Sequence, residues 1–477
     1  MRIDYLSRAS AAVAAFFAAP SAQQPEVRSS LKELVPSKSV AIIGAGAAGA
    51  STAYYLHNFL QSPQTPYHVD HSITVYDQNN RIGGRCSVFR VQNPGQRDEF
   101  IEVGASIFVQ ANKHMTEAAS EFGLESKPLD DELMAIWNGS EFVFEESTWK
   151  YWNLFKGLRR WGLSPIKLRK HLKQTADGLL EFYKSPEVFD SISAFAERFR
   201  LDKLAAVFSD KYMEILQINP LYVQEVVEVA TRVNYGSNVD KIHALGAFVT
   251  LASNDALQIK DGNFQIFEGM IGHSKAKVKL NTKVTKVRKI NGGLDAPPKF
   301  EVETATGEKE VYDTIVIATP IADIDFEDLG LHEVPKVPYR TIHTTFVRGK
   351  VNPAYFNVSP EKADKFPAHI LTTYTEGVEF TSLSIQRRLS NGETVTKIFS
   401  PNKLEEDLLD RLYQSRTWVK RKVWKAYPKL RPVGGESGVL EQEQQQGQEQ
   451  IVLGETSKEN IKTSTAQEAW GHVEVAP

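Results

Sequence analysis

The sequence has a single cysteine, Cys86. That excludes an intrachain disulfide, a structural zinc site built on several thiolates, and a cysteine-held iron–sulfur cluster. A secreted form would depend on its core rather than on covalent staples. Net charge is also scarce, at -3, so no global field favours nucleic acid or another polyanion, and any basic surface must be local. No stretch approaches the roughly twenty apolar residues that span a bilayer, so no transmembrane helix is expected in the mature chain. No Ser/His/Asp arrangement is visible. His114 and His243 come without a base partner or metal-ligand spacing, and no metal is expected. What is present is a 477-residue chain with 42% hydrophobic and 10% aromatic residues, enough for two or three domains with sizeable cores.

The two ends differ from the rest. Arg2 and Arg8 precede an apolar run over 9–19, and Pro20-Ser21-Ala22 follows. Residues 1–22 therefore read as a signal peptide and 23–37 as a polar linker, with a marginally helical leader as the other reading. A signal peptide implies the secretory pathway, with a vacuolar, lysosome-like or secreted destination. Only then do Asn138-Gly139-Ser140 and Asn357-Val358-Ser359 become glycosylation sites. From residue 434 the chain turns Glu/Gln-rich without an apolar period, and 434–477 reads as a disordered tail.

Chemistry is written most clearly near residue 44. The apolar run Ser39-Val-Ala-Ile-Ile43 suits a buried parallel strand, and a helical pattern follows to about Leu60. A polar loop over 61–72 then leads to a second strand, Ile73-Thr-Val-Tyr-Asp77. Between the first strand and the helix lies Gly44-Ala-Gly46-Ala-Ala-Gly49. Its glycines suit a tight turn, close approach of backbone to a pyrophosphate, and tight helix–strand packing, respectively. The helix N-terminus offers donors to the anion. Asp77 stands where a carboxylate accepts ribose hydroxyls, and it disfavours a 2′-phosphate. Arg81-Ile-Gly83-Gly84-Arg85 suits a second approach to the same anion, or an ordinary turn.

Taken together with Glu102-Val-Gly104-Ala-Ser106, these motifs resemble FAD oxidases related to amine oxidases, which moves the expected cofactor from NAD to FAD. The resemblance suggests Glu102 near the adenosine ribose or the site entrance, and backbone groups of Val284 at the adenine edge. It also places Val316-Ile-Ala318-Thr319-Pro320 on a strand returning under the cofactor. The fold class expected is α/β: a Rossmann-type FAD-binding domain of the amine-oxidase-like class with an inserted α+β substrate domain. Cofactor-domain parts at 38–110 and 261–333 would alternate with a mainly helical segment at 111–260 and a sheet-and-helix segment at 334–433. Helices are expected over 116–122, 165–183 and 192–216. Alternating strands are expected over Val278 to Ile290, across an Asn291-Gly292-Gly293 turn to Phe300–Thr304, and again between Arg340 and Gln386.

The middle of the chain is more specific. Trp137-Asn-Gly139, Phe144-Glu-Glu-Ser-Thr-Trp149, Arg232-Val-Asn-Tyr-Gly236, Gly262-Asn263 and Trp424-Lys-Ala-Tyr-Pro428 resemble the prenylcysteine oxidase (prenylcysteine lyase) family in order, from about residue 38 to 432. The resemblance implies noncovalent FAD, oxygen as electron acceptor, and cleavage of farnesyl- or geranylgeranyl-cysteine to cysteine, a prenyl aldehyde and hydrogen peroxide. The carbon between sulfur and alkene is allylic, so hydride loss to the flavin leaves a cation stabilised by both neighbours. Water adds, and the hemithioacetal collapses to aldehyde and thiol. The protein then supplies positioning and cofactor electrostatics.

Trp149, Trp152 and Phe155 are candidate substrate contacts, recurring with Leu158 and Trp161 near helical spacing although Gly157 and Gly162 weaken the helix. No acidic residue stands between Lys150 and Asp177, so the stretch suits a membrane interface, or a core-packed helix with a solvated basic side. Arg232 is a candidate partner for the substrate carboxylate or the flavin, and Tyr235 for the isoalloxazine flank. A structural ion pair and a packed ring are their other readings. No nucleic-acid partner is implied, and a monomer is the default.

Two other functions stay open. A fungal-type member could oxidise or cyclise a terpenoid at an allylic position in secondary-metabolite biosynthesis, or the fold could persist as an inactive scaffold without a complete flavin site. The resembled family continues after Pro432 with a strand, a glycine turn and a helix. Here Gly434-Gly435 is followed by Glu441-Gln-Glu-Gln-Gln-Gln-Gly447, so that segment reads as missing and activity as impaired.

Overall fold

The computed structural model describes residues 38–62, 71–91, 99–128, 132–184, 187–252, 256–290, 297–329, 337–359, 361 and 366–433. The leader, the linker, the Asn291-Gly292-Gly293 turn and the tail lie outside them. Two compact units emerge, Met1–Gly84 with Phe267–Pro335, and Arg85–Ile266 with Lys336–Pro477. The first unit stops at Gly84, where the sequence suggested a boundary near 110. Strands Val88–Val91 and Glu99–Glu102 pair with each other, and Val91, Ile101 and Val103 pack on Phe346 and Val395 of the second unit.

In the first unit a four-stranded sheet runs Lys277–Lys279, His71–Tyr76, Lys38–Ile43, Thr314–Ile317, all parallel. Val40 to Ile43 and Ile73 to Tyr76 are buried, as uninterrupted apolar runs require. The helix Ala47–Gln61 presents Gly49, Ala50, Ala53 and Tyr54 to the interior. The first strand has the second on one side and the last on the other. This reversal of strand order creates a crevice at the strands' carboxyl ends, where open α/β sheets bind ligands.

A second sheet runs Lys309–Tyr312, Lys299–Thr304, Val284–Ile290, Asp325–Glu327. It shares a core with the first, in which Ala41, Ile43 and Tyr76 meet Val287, Val302 and Tyr312. The alternation from Val278 to Ile290 is thus two strands in different sheets, separated by a turn with Asn281 at φ 53°. The apolar run from Val311 is likewise split. Asp313 accepts from the Ser39 amide at 2.8 Å and its hydroxyl at 2.7 Å, and these bonds hold its carboxyl down at about 2.

The second unit is built on a seven-stranded sheet in the order Tyr413–Pro428, Tyr339–Val351, Thr394–Ser400, Ser382–Arg388, His369–Thr372, Met134–Trp137, Phe142–Glu145. The hairpin 134–145 lies within the segment read as mainly helical; its strands are four residues each, too short for a periodicity to register. The expected helix over 192–216 is three short helices, Ile192–Arg198, Leu201–Ala205 and Ser209–Ile215, broken where Arg200 turns left-handed at φ 58° and Phe208 is extended. Lys150–Trp161 and Ser164–Lys184 form as helices, with Gly162 capping the first at φ 62°. Among the described residues no helix is long and apolar enough to cross a membrane.

A buried carboxylate anchors the first of these helices. Glu225 sits in the one-residue-wider turn Val223–Val227 and receives two bonds of 2.6 Å from Arg160 and one of 2.8 Å from the Trp161 indole. Glu225→Ala leaves the indole N–H and the guanidinium without their acceptor. We expect it to cost about 3 kcal/mol, read as a fall in thermal midpoint. Arg160→Ala should cost less, because Arg160 is already 36% exposed.

Candidate cofactor site

Two glycines of the first loop, Gly44 and Gly49, are required by sterics. Gly44 has φ 116°, and a Cβ there would come within 2.5 Å of the Ala318 carbonyl oxygen. A Cβ at Gly49 would overlap the Gly44 carbonyl oxygen itself. Gly46 is the N-cap of the helix, with no side chain capping the first turn and no acidic residue in it, so the end donors are left for another acceptor. A Cβ at Gly46 would meet only Gly84 Cα, at 3.6 Å. Gly84, at φ 55°, closes the cradle from the other side, because its own Cβ would lie 2.9 Å from Gly46 Cα. Gly83 N–H donates to the Ala45 carbonyl at 2.9 Å, which docks the Arg81–Arg85 turn on the glycine loop. Backbone that close, with uncapped donors, fits a pyrophosphate.

Three other candidates, Asp77, Arg81 and Val284, belong to the same unit. Asp77 is buried. Its Oδ2 accepts from the Ala45 amide at 2.8 Å, and its Oδ1 accepts from the amide and side chain of Asn79, each at 2.8 Å. A carboxylate accepts about four bonds, so Asp77 shapes the loop and keeps capacity for a hydroxyl. Arg81 braces the turn rather than standing free: it donates to the carbonyls of Gly84 at 2.7 Å and Ile82 at 3.3 Å. Val284 is buried at the start of its strand, where a register shift to Lys286 interrupts the ladder.

Arg85 and Glu102 belong to the second unit. Arg85 donates to the Ala426 carbonyl at 2.8 Å and lies over the Tyr339 ring. Glu102 is buried, and its Oε1 accepts from the Asn263 amide at 2.5 Å. Its Oε2 has no partner among the described residues, and burial pushes the carboxyl up to about 7 against the pull of Asn263 and Lys397. Lys397 is a buried neighbour of Glu102 that sequence reading missed. It is buried and donates to the Glu102 carbonyl at 3.0 Å and the Ser106 hydroxyl at 3.1 Å, and burial brings it down to about 8. Its signal was a lone lysine inside Thr394-Val-Thr-Lys-Ile-Phe-Ser400, a strand buried on both faces. Gly104 completes this corner, since a side chain there would run into the Trp424 indole.

The remaining candidates scatter over the second unit. Arg232 and Tyr235 end the helix Glu228–Tyr235, which Gly236 caps at φ 59°, so the signature is a last helical turn. Arg232 is buried. It donates to Asn238 Oδ1 at 3.1 Å and Thr372 Oγ1 at 3.4 Å, and lies over Tyr374. Its Nε has no hydrogen-bond partner among the described residues, and burial lowers the guanidinium's pKa. Tyr235 meets Tyr427 edge-on at 5.1 Å. Trp149, Trp152 and Phe155 are exposed, whereas Leu158 and Trp161 of the same helix line an apolar cavity of about 220 Å³ with Ile136, Phe144 and Tyr222. The sequon residues Asn138 and Asn357 both sit in turns. Asn138 Oδ1 accepts from the Ser140 and Glu141 amides at 2.9 Å, and exposed Asn357 donates to the Ser140 carbonyl at 2.6 Å.

Comparison with known proteins bears on the family and the fold. The profile of NAD(P)-binding Rossmann-like domains matches residues 42–122, and that of prenylcysteine lyase matches residues 144–437. The chain is 29% identical over 410 residues to farnesylcysteine lyase of Arabidopsis thaliana, covering 82% of this chain and 79% of the relative. It is 27% identical over 427 residues to prenylcysteine oxidase 1 of Homo sapiens, covering 83% and 81%. Among solved structures, cyclohexylamine oxidase from Brevibacterium oxydans superposes with a TM-score of 0.52 at 15% identity, over 83% of this chain and 88% of that one. Putrescine oxidase bound to putrescine gives 0.51 at 11%, over 81% and 84%. At such identities the structures speak for the fold, a Rossmann-like unit within the amine-oxidase-like class. The family profile spans more than half of the sequence, and the chain belongs to the prenylcysteine lyase family.

Proposed function

We propose that this chain is an FAD-dependent oxidase that cleaves the thioether of a prenylated cysteine, consuming oxygen and water and giving a prenyl aldehyde, cysteine and hydrogen peroxide. The observation that carries the reading is the cradle of Gly44, Gly46, Gly49 and Gly84, in a chain whose relatives are named for lysis and oxidation of prenylcysteine. Gly46 and Gly84 would let backbone meet the pyrophosphate at the helix N-terminus, Asp77 would accept a ribose hydroxyl with its remaining lone pair, and Val284 would offer backbone to the adenine. Bound there, FAD supplies the hydride acceptor and the route to oxygen.

The chain's own contribution to the substrate would be apolar and positional. The cavity walled by Ile136, Phe144, Leu158, Trp161 and Tyr222 suits part of an isoprenoid chain, where burial excludes water from the apolar tail. Arg232, with its unpartnered Nε, is the proposed carboxylate partner, and Tyr235 the proposed aromatic flank. Arg85 and Glu102 are proposed for the cofactor on the resemblance alone.

The test is product analysis of the purified full chain with farnesylcysteine in aerated buffer. Free thiol, prenyl aldehyde and peroxide are expected in equal amounts. Bound FAD without thiol release, together with peroxide formation on an allylic terpenoid, would overturn the substrate assignment. A protein that carries no flavin would overturn the whole reading.

A further inference from the structure

The helix Lys150–Trp161 and the start of the helix Ser164–Lys184 carry an aromatic and basic surface that the proposed chemistry leaves unused. Trp149, Tyr151, Trp152, Leu154, Phe155, Leu163 and Ile166 are all exposed, from 44% at Trp152 to 73% at Leu163. These residues are neighbours in space and not only in sequence. Tyr151, Phe155 and Arg159 recur at i, i+4 and i+8, and Trp152 stacks on Phe155 at 5.3 Å. On the next helix Ile166, Arg169, Lys170 and Lys173 recur at i, i+3, i+4 and i+7, opposite the buried Leu168. A contiguous apolar patch rimmed by polar residues marks an interaction surface on a folded protein.

Charge decides the kind of partner. No acidic residue lies between Lys150 and Asp177. Arg160 is engaged by Glu225, and Lys173 pairs with Asp177. Arg159, Lys167, Arg169 and Lys170 are exposed and have no carboxylate partner among the described residues. Tryptophan and tyrosine on one face with unpaired lysine and arginine beside them match the headgroup level of an anionic bilayer, where aromatic rings sit at the interface and the cations meet the lipid phosphates. The helix is about 18 Å long, too short to cross a bilayer but long enough to lie in its surface.

We propose that this helix pair docks the protein on an anionic membrane surface, with Trp152 and Phe155 inserted at the acyl boundary and Arg159, Lys167, Arg169 and Lys170 against the headgroups. The apolar cavity of about 220 Å³ lies directly behind the same helix, and Leu154 belongs both to its wall and to the exposed face. An isoprenoid partitioned into the bilayer would therefore meet the cavity without first crossing water. The docking itself is independent of the flavin reading and is measured without turnover.

The experiment is co-sedimentation of the purified full chain with vesicles of phosphatidylcholine alone and of phosphatidylcholine containing about one-third phosphatidylserine. Wild-type protein is expected to sediment with the anionic vesicles, to be released by high salt, and to remain in solution with the neutral ones. The charge-reversed variant Lys167→Glu/Arg169→Glu/Lys170→Glu is expected to bind about 100-fold more weakly. Trp152→Ser/Phe155→Ser should lose at least about tenfold. All five side chains are exposed, so circular dichroism and thermal midpoint should stay at wild-type values. If one variant fails to fold, the other decides. Equal partition of wild type and folded variants, equal binding to both kinds of vesicle, or binding to neither would overturn the proposal. A concentration-dependent dimer that either variant dissolves, without vesicle binding, would overturn it in favour of a contact between copies of this chain.

Discussion

Gly46→Ala is expected to weaken FAD retention by at least about tenfold, or ~1.4 kcal/mol, while the thermal midpoint of the flavin-free protein stays at the wild-type value. The two effects separate because of where the methyl goes. At 46 it meets only Gly84 Cα, at an ordinary 3.6 Å, and the backbone there, at φ -80°, accepts any residue. The methyl would instead occupy the approach a pyrophosphate needs. Gly49→Ala is expected to behave differently. Its methyl would overlap the Gly44 carbonyl oxygen, so helix and strand must separate, at a cost on the order of 3 kcal/mol or more. That variant should lose both cofactor and thermal stability. Ultrafiltration followed by flavin fluorescence, beside a melt of the stripped protein, reads both quantities. A Gly46→Ala protein that keeps full flavin would remove the cradle from the account.

Lys397→Met is expected to cost the fold about 1.4 kcal/mol more at pH 8, where Glu102 is ionised and loses its cation, than at pH 5. Lys397 holds the Glu102 carbonyl and the Ser106 hydroxyl in place, and its charge acts on a carboxyl whose Oε2 has no partner among the described residues. Glu102 is raised from its ordinary 4.5 to about 7, so the folded state binds that proton more tightly than the unfolded chain. Its favourable contribution is complete below about 4.5 and is lost as pH rises toward 7. Lys397 is lowered from 10.5 to about 8, so its penalty is full below 8 and is relieved as pH rises toward 10.5. Between about 7 and 8 the corner therefore weighs most against the fold. Chemical denaturation from pH 5 to pH 10 is the check. Glu102→Gln should flatten the acidic limb and Lys397→Met the alkaline one. An unchanged profile in both variants would show that neither group titrates in this range.

What the sequence made legible was whatever leaves a steric or periodic trace. Gly44, Gly46 and Gly49 stand between a buried strand and a helix, and the structure gives Gly44 and Gly49 backbone contacts that a side chain would break, while Gly46 has room for one. The parallel strands around Ile42 and Val75 showed as continuous apolar runs because both faces are covered. The aromatic helix showed its period, but period alone does not say which face is inside. Leu158 and Trp161 turn inward, with Glu225 reaching the Trp161 indole from far along the chain, and Trp152 and Phe155 face out. Short strands such as Met134–Trp137 left no period to read. Lys397 was silent for a related reason. It is a single residue in an apolar strand, and only the fold brings it to Glu102, which lies 295 positions away in sequence. Asp77 was read as a ribose acceptor, and the structure adds that the same carboxylate holds the Ala45 amide and thus shapes the glycine loop.

The most direct test of the central claim is anaerobic addition of farnesylcysteine to the purified chain while the visible flavin band is followed. The account predicts that the band is present before addition, bleaches with release of one free cysteine per flavin, and returns with peroxide when oxygen is admitted. A band that persists through addition, or a chain that releases NAD rather than FAD on denaturation, would contradict it.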